Sequence, residues 1–323
     1  MSRILHVANG ASVTDTLALT GIPGALSIWA DPLHAGPVPG GLSDEELVEV
    51  RTRFLLGEDG GEDAEHWNDL RRWRTVIDDH QSYDELVLWF EHDLFDQLNL
   101  IQLLSHLRAQ PPAGVVSLIC INSFPGRAEF HGLGELTAPE LASLFETRHA
   151  VIGAEYALAE RAWQAFREPT PEGLDRIRHS DTSAMPYLSR ALERFLEDYP
   201  ATRDGLSRSE RRLLQLAGEE LSFPHGFRRM HEGEDAYYIS DLSFLDTIEI
   251  LSNTAPPLVR AVDRSLHLTE AGREVLAGQK DRVSYGLDRW MGGVHLKTGE
   301  TPIWRWDPGQ RRITSNPNGW QGT

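Results

Sequence analysis

The chain has 323 residues, 40% hydrophobic and 25% charged, which is the composition of a folded globular protein and excludes wholesale disorder. That length exceeds one ordinary core and predicts two domains with a connector. A formal charge of −18 disfavours a phosphate backbone as a general partner, and the single cysteine, Cys120, excludes an intramolecular disulfide and any multi-thiolate metal site.

No apolar run approaches the ~18–20 residues that cross a bilayer. Residues 1–7 read as a short strand, not as a secretory leader. The expectation is a cytoplasmic protein without membrane contact.

Residues 4–8 form a short apolar strand ended by the turn dipeptide Asn9-Gly10. Ser12 and Asp15 stand at capping-box spacing and open a helix that stops at Gly21. Residues 25–29 make a second strand, which runs into Asp31-Pro32-Leu33-His34-Ala35-Gly36-Pro37, where prolines forbid regular structure. Ser43 with Glu46 caps a helix over 43–56, and an acidic Gly-rich loop then precedes a Trp- and Arg-bearing helix over about 64–80.

Residues 85–90 are the clearest strand, an unbroken apolar run from Leu86 to Phe90 of the kind found where both faces of a sheet are covered. After Glu91-His92-Asp93, the spacing of Leu94, Leu98, Ile101, Leu104 and Leu107 turns helical. Residues 115–121 form another buried strand ending at Asn122, and a short helix follows from near Pro139. This alternation predicts an α/β domain over 1–150, built on an open, mostly parallel sheet with flanking helices.

Residues 151–203 read as a helical connector broken at Pro169, Pro171 and Pro186. Residues 204–323 suggest a winged-helix-like α+β domain. Ser207 with Glu210 caps a first helix, 242–252 is a later one, and a strand ending in Leu268-Thr269 leads into a final helix. The tail adds two short strands around Asp288-Arg289-Trp290 and Trp304-Arg305-Trp306. Trp290, Trp304 and Trp306 suit core or interface anchors, which leaves a homo-oligomer open.

Ligands of doubly wound sheets bind beyond the carboxyl ends of the strands. Four such ends here are rich in polar residues: Asn9-Gly10; Asp31 with His34; Glu91-His92-Asp93 with Asp96 and Gln97; and Asn122. Parallel strands would bring them to one edge. Asp93 as an N-cap and Asp96 as a first-turn carboxylate have a structural explanation. Glu91 and His92 have none, because charged groups after an apolar strand are costly unless exposed or paired. Glu91, His92 and His34 are therefore the candidate catalytic residues. Asn9, Gly10, Asp31, Asp93, Asp96, Gln97 and Asn122 are the candidate substrate contacts.

Histidine near a carboxylate suits acid–base chemistry. The alternative is an N/O metal site formed by His34, Glu91 and His92, although no HExxH-type spacing occurs, so the cofactor stays unknown. Asn9-Gly10 ahead of a helix offers an anion cradle. GxGxxG, P-loop and GxSxG patterns are all missing from the sequence. In the C-terminal half, Arg203, Arg208, Arg211, Arg212, Arg228 and Arg229 form a basic cluster, the one route to nucleic acid. The expected recognition helix, 241–249, is acidic and apolar and argues against groove insertion.

Asn9-Gly10, the Trp29-x-Asp31-x-Leu33-His34-x-Gly36-Pro37-Val38 run and Trp89-Phe90-Glu91-His92-Asp93-Leu94-x-Asp96-Gln97 together resemble a bacterial two-domain family of domain-of-unknown-function proteins. Gly205-Leu206-Ser207-Arg208-Ser209-Glu210 and Asp288-Arg289-Trp290-Met291-Gly292-Gly293-Val294-His295 are similar to its separate C-terminal domain. The resemblance covers most of the chain and implies a two-domain bacterial cytosolic protein, without an activity to carry over. The leading expectation is a small-molecule enzyme, a hydrolase or transferase. In it Glu91 or His92 acts as acid or base, Asp31 and His34 position substrate or metal, and Asn9-Gly10 binds an anionic group. The alternatives are a ligand-sensing regulatory or adaptor protein, and an interaction protein whose polar cluster only pins loops.

Overall fold

A computed structural model describes residues 3–57, 72, 74, 75, 77, 79–300 and 303–316. The helix expected over 64–80 lies largely outside them. Strands β1 (Ile4–Ala8) and β2 (Ala25–Ile28) belong to a five-stranded sheet. With β4 (Glu85–Glu91), β5 (Val115–Ile121) and β6 (His149–Ala150), its order is β2-β1-β4-β5-β6. The first four are parallel and β6 is antiparallel, so the sheet is open and mostly parallel with helices on its flanks.

The unbroken apolar run in β4 arises because both faces are buried. Leu86, Leu88 and Phe90 enter one hydrophobic cluster, while Val87 and Trp89 enter another. The second cluster lies under α1 (Ala11–Ala18) and α4 (Ala138–Leu144). Ser12 does not cap α1. It lies inside the helix, Gly10 holds the N-cap position, and no side chain bonds the exposed amides. The box at Ser43 does form and opens α2 (Asp44–Leu56).

The other face of the sheet is covered by α3 (Leu94–Ala109), which is buried nearly all round. Further out lie α5 (Gly153–Phe166), α6 (Glu172–Arg178) and α7 (Leu188–Leu196). Both α5 and α7 pack on α3, so the expected connector also forms an outer layer of the α/β half.

The C-terminal half contains α8 (Arg208–Ala217), α9 (Phe223–Met230) and α10 (Asp241–Ser252). A hairpin of β7 (Val259–Val262) and β8 (Ser265–Leu268) follows, then α11 (Glu270–Leu276). Helix α9 was not expected, because Pro224 and Gly226 obscure its pattern. Pro224 sits in the first turn, where its missing N–H costs nothing.

The two halves are joined by backbone pairing. β9 (Asp288–Gly292) pairs with β10 (Val294–Lys297) on one side. On the other side it pairs with β3 (Gly36–Pro37), setting Gly36 against Met291 and Pro37 against Gly292. The turn between β9 and β10 threads tightly past the end of α5. A Cβ on Gly293 would come within 2.1 Å of the Arg167 carbonyl oxygen, so only glycine fits there. A last hairpin, β11 (Ile303–Asp307) with β12 (Arg312–Asn316), docks through a bridge between Ala201 and Trp306. Among the described residues no helix is long and apolar enough to cross a membrane.

Candidate functional site

Parallel register carries the ends of β1, β4 and β5 to one edge, as expected. Asn9 follows β1, and its side-chain amide donates to Asp96 Oδ2 at 2.8 Å and to Glu91 Oε1 at 3.1 Å. Asp96 Oδ1 accepts from the Glu91 backbone N–H at 2.7 Å. Asp93 has the extended backbone of an N-cap, and its Oδ1 accepts from the Asp96 N–H at 2.9 Å. Gln97 donates to the Glu91 carbonyl at 2.7 Å and holds the strand end in place. Asn9, Glu91, Asp93, Asp96 and Gln97 thus form one hydrogen-bonded group at the start of α3.

A lid closes over Glu91. The Leu133 N–H donates to Glu91 Oε1 in a short contact, and a Cβ on Gly132 would lie 2.3 Å from Glu91 Oε2. Gly132 is the residue type that permits this approach. The signal in the sequence was the Gly132-Leu133-Gly134 triplet, too brief to weigh alone.

The electrostatics of the group set it apart from the rest of the protein. Other buried carboxylates carry basic partners: Asp31 has Arg51 at 2.6 Å, Glu210 has Arg282 at 3.2 Å, Asp281 has Arg305, and Glu155 has His149 at 2.9 Å. Among the described residues, none of Glu91, Asp93 and Asp96 is ion-paired with Lys, Arg or His. Burial pushes the Glu91 carboxyl up to about 8, helped by the Asp93 charge. Burial likewise raises Asp93 to about 6, and it raises Asp96 well above the usual carboxylate range, with Glu91 and Asp93 adding repulsion. Three interacting buried carboxyls without a cation cannot all ionise near neutrality.

His92 stands on the outer side of this group, only half-buried. Its ring is flanked by Phe130, Tyr187 and Tyr238, with centroids 6.5, 6.2 and 6.1 Å away. Burial lowers its pKa, and Nδ1 has no hydrogen-bond partner among the described residues. The imidazole is therefore neutral near pH 7 and able to accept a proton. Tyr238 belongs to residues 234–239, a strap from the C-terminal half that docks where the Leu94 N–H donates to the Ala236 carbonyl at 2.6 Å. The tyrosines could not be placed from the sequence, because the strap is far from β4 along the chain.

Of the remaining candidates, Asp31 and His34 lie apart from this group. Asp31 is held by Arg51 and by Asn99, whose side chain bonds both its backbone N–H and its carbonyl at 2.9 Å. It is a structural anchor for the loop before β3. His34 packs on Tyr237 at 5.0 Å, whereas His92 faces Tyr238, so adjacent residues of the strap hold the two histidines. Asn122 is exposed and accepts from the Tyr187 hydroxyl at 3.3 Å. Gly10 precedes α1 beside Asn9, so an anion there would face the carboxylates across the Asn9 amide. Cys120 bonds the Glu91 carbonyl at 3.3 Å, and burial drives its thiol pKa upward, away from nucleophilic use.

Among the described residues no three His, Cys, Asp or Glu side chains are placed to share a metal ion, so the set His34, Glu91 and His92 is not brought together. No protein-family model matches the chain. No curated protein matches it at a significant level either.

Proposed function

We propose that this chain is a small-molecule enzyme, a hydrolase or transferase, that uses the Glu91–Asp93–Asp96 group as its proton donor and His92 as its proton acceptor. One observation carries this reading. Three buried carboxyls share a hydrogen-bonded group with no cation among the described residues, whereas the other buried carboxylates have an arginine partner or, for Glu155, His149. A network serving only to pin loops would be cheaper if neutralised in the same way. Held as they are, the carboxyls keep a proton at neutral pH, the condition a general acid requires. His92, whose pKa burial lowers so that the ring is neutral near pH 7, supplies the opposite function under a rim of Phe130, Tyr187 and Tyr238.

The test has two arms. Infrared spectra of the full chain at pH 7 should show a protonated-carboxyl C=O band that is lost or diminished in Glu91→Gln. A panel of ester, amide, glycoside and phosphoester substrates should yield a turnover that Glu91→Gln and His92→Ala each remove. Fully ionised carboxyls at pH 7, or a turnover indifferent to both substitutions, would sink the proposal.

A second reading, a regulatory or adaptor protein with a winged-helix-like module, draws on α10. That helix leaves Leu242, Leu245 and Ile250 exposed at 68, 45 and 54%. The basic cluster nearby is already engaged: Arg208 with Glu197 at 2.6 Å, Arg211 with Asp204, and Arg229 with Glu232 at 2.6 Å. The module therefore suits protein contact better than DNA. A salt-sensitive shift of duplex DNA that vanishes on replacing Arg208, Arg211 and Arg212 would reverse that preference.

A further inference from the structure

Helix α10 carries two sets of apolar residues, and the fold buries one of them. Phe244, Ile248 and Leu251 recur at helical spacing and enter the main core. Leu242, Leu245 and Ile250 lie outside that stripe and face solvent, where a surface helix ordinarily holds polar residues. Leu242 and Leu245 stand three residues apart, so their side chains are neighbours on one face. The apolar surface continues beyond the helix. Ile250 and the exposed Phe54 of α2 line one open groove with Trp290 of β9.

Acids are interleaved with these residues. Asp241, Asp246 and Glu249 are exposed, and none of them is ion-paired among the described residues. Earlier in the same half the pattern is the opposite: Asp204, Glu219, Glu232 and Glu234 each hold an arginine. Asp246 and Glu249 are three apart on the helix and repel each other. Partial burial and the Glu249 charge raise the Asp246 carboxyl above its ordinary value.

Exposed leucine and uncompensated negative charge on one face are both relieved by the same kind of occupant. The sign of the charge disfavours a phosphate backbone, an anionic bilayer and the α10 face of a second copy. It favours a segment that offers apolar side chains beside cations.

We propose that the outer face of α10 is a docking surface for a basic amphipathic helix of a partner protein. The apolar stripe of that helix covers Leu242, Leu245 and Ile250, and Lys or Arg residues beside the stripe meet Asp241, Asp246 and Glu249. Burial of the leucines supplies attraction, while the charges steer and orient the encounter. This assignment rests on the adaptor reading and names its partner class; it is independent of the enzymatic one.

The probe is a fluorescein-labelled, amidated peptide of leucine and lysine with its leucines at helical spacing, titrated into the full chain and followed by anisotropy. An isomer of the same composition, with leucine and lysine alternating, carries equal charge without the helical stripe. Saturable binding of the helical peptide is expected, at least about tenfold tighter than that of the isomer. Leu245→Ser should weaken it about tenfold, and Asp246→Asn with Glu249→Gln should flatten its salt dependence. Amide exchange in α10 of the unaltered chain should slow at saturation, a readout that does not depend on the variants folding. A lack of saturable binding, equal binding of the isomer, or unchanged exchange in α10 would each overturn the proposal. Duplex DNA titrated in parallel separates this from the adaptor reading. Peptide failure alongside DNA binding that needs Arg208, Arg211 and Arg212 removes this partner class and leaves an adaptor, whereas failure of both removes the adaptor too.

Discussion

The side-chain amide of Asn9 stands 2.8 Å from Asp96 Oδ2 and ties the end of β1 to the first turn of α3. The same amide reaches Glu91 Oε1 at 3.1 Å, so one neutral donor serves two carboxyls. Asn9→Asp would replace that donor with a fourth acid. We expect a loss of about 2–4 kcal/mol at pH 7, partly regained at pH 5, where added protons neutralise the cluster. Urea unfolding at the two pH values checks this, and an equal loss at both would count against it.

Glu91 gives the stability a particular slope with pH. Its folded pKa of about 8 lies above the ordinary value of 4.5. The folded state therefore holds more protons than the unfolded chain between those values. Its contribution is full below about 4.5 and falls as pH rises toward 8, by up to about 1.4 kcal/mol per pH unit. Glu91→Gln should flatten that decline. Denaturation midpoints from pH 5 to 9 measure it, and parallel curves for the two proteins would contradict the assignment.

Arg51 and Asp31 form a fully buried ion pair, and Arg51 also donates to the Ala35 carbonyl at 2.6 Å. Arg51→Met should cost about 3–5 kcal/mol, because Asp31 is left buried without its partner. Arg51→Met combined with Asp31→Asn should cost less than Arg51→Met alone. Thermal and urea denaturation of both variants would show it, and simple additivity of the two changes would refute the coupling.

Gly132→Ala inserts a methyl group where Glu91 Oε2 lies 2.3 Å from the ideal Cβ position. The lid must move back and lose the Leu133 bond to Glu91. We expect about 1–3 kcal/mol of destabilisation and faster amide exchange at Leu133. Unchanged exchange at that residue would show that the lid does not rest on Glu91.

The strands and long helices of the α/β half were legible because they repeat a simple period. The β4 run is apolar throughout since Leu88 and Trp89 point into different buried clusters, and α3 keeps its helical spacing while its N-cap Asp93 is plain in the sequence. Convergence of Asn9, Glu91, Asp96 and Gln97 followed from parallel register alone. Ser12 misled because Ser-x-x-Asp resembles a cap wherever it falls, and the N-cap lies two residues sooner, at Gly10, with the helix entered at Ala11. The separation of His34 from His92 was invisible, since it depends on Tyr237 and Tyr238 arriving from the other half. Arginine pairing was hidden for the same reason: Arg305 meets Asp281 and Arg282 meets Glu210 through contacts that no local pattern encodes.

The pairing of Gly36-Pro37 with Met291-Gly292 also imposes an order of events during synthesis. The loop holding His34 leaves the ribosome early, but its strand partner emerges only after most of the chain has been made. At about 5–20 residues per second, that leaves a delay on the order of tens of seconds. Through that interval the parallel sheet can assemble while the His34 loop waits without its partner strand. The β3–β9 pairing forms after that sheet, so a nascent chain stalled before β9 would carry the strand-end carboxyl group while its His34 loop still lacked a strand partner.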